Sequence, residues 1–201
     1  EALEKTEEPF TILSLGPLTD LALALRIAPA IADNIKEIII AGGGHMYSDI
    51  TAAAEYNIYH DPEAAAIVMA LKTNKTLIPL DCTYSCMLTE SEKKSVFSGN
   101  GIRAGLVRRL IGGYDRPLLS IMSACAAVYP EILAEAVPYS VYIDISGGFT
   151  DGQTVFDTRR IFDNYNCRTA FTADKELFIK TITELITLDP KVGIGRRREQ
   201  N

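Results

Sequence analysis

At 201 residues, with 47% hydrophobic and 23% charged side chains, the chain has the composition of a folded globular protein, not of a disordered one. Its formal net charge of -6 leaves no basic stripe to neutralise phosphates, which argues against a nucleic-acid partner. No apolar run approaches the roughly 18 residues of a membrane span, and nothing resembles a signal peptide, so a cytoplasmic protein without a membrane partner is expected.

The chain opens EALEKTEEPF, without an initiator Met, and this segment reads as the last turns of a helix feeding a strand. Phe10 to Leu15 is a short apolar strand, and Leu18 to Ala28 a helix with Leu21, Leu25 and Ala28 on one face. Ile35 to Ala41 is a buried strand broken by Gly42, Gly43 and Gly44. Asp61 to Lys72 is a helix and Lys75 to Leu80 a strand. Thr89 opens a helix with Glu92 three residues on, the pattern of a capping box. Leu118 to Val128 is apolar nearly all round, which predicts a buried helix. Val141 to Ile145, Thr154 to Phe156 and Arg168 to Phe171 read as strands, and Asp174 to Thr187 as a closing amphipathic helix. Alternation of strands and helices, with continuously apolar strands, predicts an α/β fold: a mostly parallel, Rossmann-like open sheet covered by helices on both faces. No repeat, low-complexity tract or linker interrupts it, so residues 1–201 are expected to form one domain. Arg196, Arg197 and Arg198 read as a solvated basic tail.

The cysteines and histidines offer no metal pattern. Cys82 and Cys86 are four apart, Cys125 and Cys167 stand alone, and neither His45 nor His60 has a partner at i+4. Buried free thiols are expected.

In open parallel sheets, ligands bind at the carboxyl ends of the strands. Gly16 to Asp20 follows the first strand, Gly42 to Asp49 the second, and Asp81 the third. Three glycines could cradle a phosphate, but without G-x-G-x-x-G spacing the better reading is a loop that needs close backbone approach or positive φ. The richest stretch is TAAAEYNIYHDPEAAA, Thr51 to Ala66. It sets a carboxylate, Glu55, and a carboxamide, Asn57, at i and i+2 of what reads as an extended segment, where both point to one face. An acceptor beside a donor–acceptor suits a vicinal diol such as a sugar. A helix start follows, with Asp61 as N-cap, Pro62 at its first position and Glu63 in its first turn. Read without a ligand, the same residues are a polar strand end before an Asp-Pro helix start.

Five strings in order carry a family resemblance: LSLGPLTDLALALRIAPAIA, IKEIIIAGGG, ITAAAEYNIYHDPEAA, TLIPLDCT and GGFTDGQTVFDTRR. From about residue 1 to 187 the chain resembles the nucleoside hydrolases, the inosine-uridine preferring N-ribohydrolases. That resemblance implies a core of mostly parallel sheet, bound Ca²⁺, and hydrolysis of the N-glycosidic bond of ribonucleosides to ribose and free base, in salvage of purines and pyrimidines. It also implies a homo-oligomer, a dimer or tetramer. The oxocarbenium-like transition state requires a firmly held ribose and a presented water, and Ca²⁺ would take ribose hydroxyls and that water together. By resemblance Glu55 and Asn57 bind ribose, and the backbone carbonyl of Thr19 is a Ca²⁺ ligand. Asp49 stands where the family usually has another ribose-binding Asn.

Two departures accompany the match. The family's D-x-D-x-x-x-D-D metal cluster is absent, so the chain reads as N-terminally incomplete. In PLLSIMSACAAVYPEIL, a gapless match puts Leu119 and Ser120 at the His and Asp of the family's P-L-H-D-P. No catalytic residue is therefore identifiable, and Ca²⁺ binding by this chain is expected to be weak or absent. Two further readings stand beside a hydrolase: a catalytically degraded relative that keeps the fold and a ribose pocket, and an unrelated Rossmann-like nucleotide binder with a helix starting at Gly44.

Overall fold

A computed structural model describes residues 8–99, 101–111, 115–159, 161 and 164–187, and its residues fall into two compact units. The first comprises residues up to Met87 and Pro117–Asp174; the second comprises Leu88–Arg116 with the segment from Lys175. The opening helical segment and the arginine tail lie outside the described residues.

The first unit holds a six-stranded sheet in the order β1 (Phe10–Ser14), β2 (Ile35–Ala41), β3 (Lys75–Ile78), β6 (Cys167–Ala170), β4 (Ala136–Ile143), β5 (Thr154–Asp157). β1, β2, β3 and β6 pair in parallel, and β4 runs against both β6 and β5. The expected α/β architecture, a mostly parallel sheet with helices packed on it, is the one observed. β2 is an interior, strongly apolar strand. Ile38 and Ile40 enter one cluster with Leu18, the N-cap of α1 (Thr19–Ile27), with Ala22 and Leu25 of that helix, and with Ala64, Ala65 and Val68 of α3 (Pro62–Met69). α7 (Leu119–Val128) packs against β1 and β2, burying Met122, Cys125 and Ala126. The second unit packs α5 (Glu90–Val96) and α6 (Ile102–Ile111) against α8 (Lys175–Thr187). Its α5 has the expected capping box: Thr89 Oγ1 accepts from Glu92 N at 3.2 Å, and Thr89 N donates to the Glu92 carboxylate at 2.7 Å.

Three differences from the sequence reading position the site. β4 begins at Ala136, five residues before the expected start, in spite of Pro138. Residues 136–139 pair with β6 alone, so the missing N–H of Pro138 faces no strand; β5 joins only from Ser140. β3 ends at Ile78, and Leu80–Tyr84 is a short helix, α4, with Pro79 at its N-cap. Tyr56–Tyr59 is also helical (α2), so Asn57 does not stand in an extended segment.

Candidate functional site

The segment after β2 is shaped by close packing. Gly43 has φ +75°, and a Cβ there would lie 2.7 Å from Thr154 Oγ1. A Cβ on Gly42 would come within 3.1 Å of Glu55 Oε2, and one on Gly44 would collide with the Tyr47 carbonyl. The triple glycine is thus a close-approach loop, as its lack of fingerprint spacing suggested. No helix begins at Gly44, which removes the Rossmann-type nucleotide binder. The loop is tied down by Asp81 in the first turn of α4, whose carboxylate accepts from His45 N at 2.7 Å and Met46 N at 2.8 Å.

α2 starts against this loop, and two carboxylates close its amino end. Asp49 Oδ1 accepts from Tyr56 N at 2.8 Å. Glu55, the N-cap, accepts from Asn57 N at 2.9 Å through Oε1 and from Ile58 N at 3.2 Å through Oε2. Oε2 also accepts from Gly43 N at 2.9 Å, so one side chain joins the β2 loop to the helix start. Asn57 completes the clasp, its Nδ2 donating to the carbonyl of Ala41, the last residue of β2, at 2.9 Å. Glutamate is not a favoured N-cap, so the cap at Glu55 comes from the same contacts that fix the helix to the sheet's carboxyl edge.

The i, i+2 argument for a shared face therefore fails, since its second residue is helical. The two side chains are brought together by a different device: both point back from the start of α2 to the carboxyl end of β2. Glu55 is 2% exposed and Asn57 9%, whereas Asp49 is exposed. Burial raises the Glu55 carboxyl from 4.5 to about 7, against the pull of the Asn57, Gly43 and Ile58 amides, and the nearby Asp49 adds to the rise. A carboxylate has about four acceptor positions, so three amides leave one, on Oε1, for a further donor.

Thr19 heads α1, and its hydroxyl donates to Asp61 Oδ2 at 2.6 Å. Asp61 also caps α3 as expected, accepting from Ala64 N at 2.9 Å. Leu119 and Ser120 form the first turn of α7, Leu119 half-buried and Ser120 exposed. Among the described residues no hydrogen bond links their side chains to Glu55, Asn57 or Asp49. Asp81 is the residue the sequence reading left without a role; its position directly after a strand was the available signal. The four cysteines are buried, and burial pushes Cys82 and Cys167 to about 12 and Cys125 to about 11, so these three rest as thiols.

Ca²⁺ needs six to eight oxygens, several of them usually carboxylate. Among the described residues no three His, Cys, Asp or Glu side chains converge to hold a metal ion. The Thr19 carbonyl stands at the head of α1, where the helix ladder draws on it, and Ser120 brings only a hydroxyl. By themselves the described residues do not fit the ion. No helix among them is long and apolar enough to cross a membrane.

Comparison with known proteins gives a consistent match. Residues 1–180 match the family described as inosine-uridine preferring nucleoside hydrolase. The enzyme of that name from Leishmania major is 32% identical over 170 residues, covering 79% of this chain and 53% of the relative. The one from Crithidia fasciculata is 32% identical over 171 residues, covering 78% and 54%. Among solved structures, the inosine-uridine preferring nucleoside hydrolase from Bacillus anthracis superposes with a TM-score of 0.79 at 26% identity, covering 92% of this chain and 62% of that one. The chain thus spans about half the length of the curated relatives it matches.

Proposed function

We propose, from the premise that this chain belongs to the inosine-uridine preferring nucleoside hydrolase family, that it serves the hydrolysis of the N-glycosidic bond of ribonucleosides, releasing ribose and free base. The observation that carries the reading is the buried Glu55 carboxyl, held by three backbone amides at the carboxyl end of β2 with one acceptor position left over. A ribose hydroxyl donating to Oε1 would fill that position. Asn57 spends one donor on Ala41 and keeps its carboxamide for a second hydroxyl, and exposed Asp49 borders the same helix start. Once ionised, above a pH of about 7, Glu55 would also favour the positive charge that grows on the sugar as the base departs.

The resemblance implies Ca²⁺, which would supply an oriented water only where a full ligand set held it; the Thr19 backbone carbonyl is the one ligand the resemblance places in this chain. The described residues do not supply the ion's ligand set, so the proposal rests on the sugar side of the site. We place the reaction in nucleoside salvage in the cytoplasm, carried out by a homo-oligomer.

The test is release of base from inosine and uridine by the wild type, Glu55→Gln and Asn57→Leu, with and without a calcium chelator. Loss of one charge-assisted hydrogen bond to the sugar should lower kcat/KM by about tenfold or more. Wild-type kcat/KM in both variants would overturn the sugar-site assignment. Ribose binding without turnover in the full-length protein would identify a degraded relative instead.

A further inference from the structure

A second concave site lies at the opposite, amino-terminal edge of the sheet. A cavity of about 640 Å³ opens between the first residues of β2, β3 and β6 and the chain leaving α3. Among the described residues its walls carry Lys36, Lys72, Lys75 and Arg168 against a single acid, Glu37. In a chain of net charge -6 this is a local reversal of sign. Glu37 is also engaged, its Oε1 accepting from Thr76 Oγ1 at 2.6 Å.

Lys75 is the unusual member, being only 3% exposed. Its ammonium donates to the carbonyls of Leu71 at 2.6 Å and Thr73 at 2.9 Å, just past the end of α3. Among the described residues no carboxylate lies within ion-pair distance of it. An ammonium has three N–H donors, so one remains. A buried cation without a counter-charge is costly, and two carbonyls at a helix's carboxyl end offset only part of that cost. Cys167, on the same wall, stays a neutral thiol and supplies no charge. Lys36, Lys72 and Arg168 are exposed around the buried amine, and Arg168 spends one donor on the Ala136 carbonyl at 2.9 Å. Tyr165, 36% exposed, adds an aromatic ring to the wall.

We infer that this cavity is an anion site for a phosphate or phosphomonoester group, with Lys75 at its base and Lys36, Lys72 and Arg168 at its rim. Three or more cations around one opening suit a dianion better than a carboxylate. The volume exceeds that of a bare phosphate and leaves room for the organic part of a phosphorylated metabolite, with Tyr165 beside it. The inference is independent of the nucleoside reading, because the two sites share no residue.

The experiment is calorimetric titration of inorganic phosphate and of adenosine monophosphate into the chain, at constant ionic strength maintained with chloride. Saturable binding at one site is expected, weakened about tenfold or more in Lys36→Ser/Arg168→Ser, whose changed positions are exposed. Lys75→Met, a volume-conserving change, should abolish binding and keep or raise the thermal midpoint measured without phosphate. Adenosine monophosphate binding more tightly than inorganic phosphate would identify a phosphomonoester, and the reverse order free phosphate. Absence of saturable binding, or equal affinity in Lys36→Ser/Arg168→Ser, would overturn the proposal.

Discussion

Glu55 links proton binding to stability, and Glu55→Gln isolates that link. The folded chain holds the carboxyl proton with a pKa of about 7, against 4.5 for the free side chain. Below pH 4.5 both folded and unfolded chains carry the proton, and the group makes no pH-dependent contribution. Between 4.5 and 7 the unfolded chain releases its proton while the folded one keeps it, so the unfolded state gains and stability falls as pH rises. At roughly 1.4 kcal/mol for each tenfold change in proton affinity, the loss across that window is about 3 kcal/mol, and it levels off above pH 7. Glutamine stays neutral throughout and lacks this slope. It also turns one oxygen into an NH₂ group, which leaves at least the Asn57 amide without its acceptor, a cost of about 1–3 kcal/mol at every pH. Urea denaturation of both proteins at half-unit steps from pH 4 to 8.5 should show wild type above the variant at pH 4.5, with the difference closing or reversing by pH 7. Parallel curves would refute the reasoning, since they would mean that the three amides hold Glu55 as an ordinary carboxylate.

Asp81→Ala should free the His45 and Met46 amides, lowering stability by about 2–4 kcal/mol and speeding their hydrogen exchange more than that of the β2 amides. Thr154→Val replaces a buried hydroxyl that has no hydrogen-bond partner, so a gain of about 1–2 kcal/mol is expected in thermal denaturation, and a loss would mean that an ordered water serves it. Gly43→Ala forces a side chain into positive φ and against Thr154 Oγ1, costing about 1–3 kcal/mol, part of which Thr154→Ala should restore in the double variant. Leu119→His with Ser120→Asp, made in a parent that carries the family's aspartate cluster, should raise base release, positioned acid catalysis being worth about 100- to 10,000-fold. Ser120 is exposed, so its aspartate meets little burial cost. A folded variant with neither faster hydrolysis nor tighter Ca²⁺ binding would show that the gapless alignment misplaces the pair.

The elements with strong local signals were readable from sequence. Asp61, Pro62 and Glu63 announced α3, Thr89 and Glu92 announced α5, and the isoleucines of β2 announced a buried strand. The reading failed where tertiary contacts set the backbone. YNIY is too short to form a helix on its own, and it is helical because Asp49 and Glu55 cap it and Asn57 anchors it. Pro138 hid the start of β4 because strand order, not local chemistry, decides where a missing N–H is harmless. Glu55, Asn57 and Asp49 were singled out by resemblance, the first two also by a spacing argument that the helical Asn57 defeats. Their arrangement was not legible, because the clasp to Gly43 and Ala41 is between segments distant in sequence. No motif marked the cavity around Lys75, whose residues come from four separated segments.

The division of the chain has a consequence for the order of folding. In the second unit, α5 and α6 precede the stretch 117–174 in sequence and α8 follows it, while that stretch itself belongs to the first unit and carries β4, β5 and β6. Before the sheet forms, bringing α8 to α5 and α6 means closing a long flexible loop, with its entropic cost. Once β4, β5 and β6 have paired, that loop is a folded body and most of the cost has been met. The sheet should therefore form first and the three-helix unit condense afterwards, with the Glu92–Lys175 ion pair, at 2.9 Å, among the contacts that await the sheet.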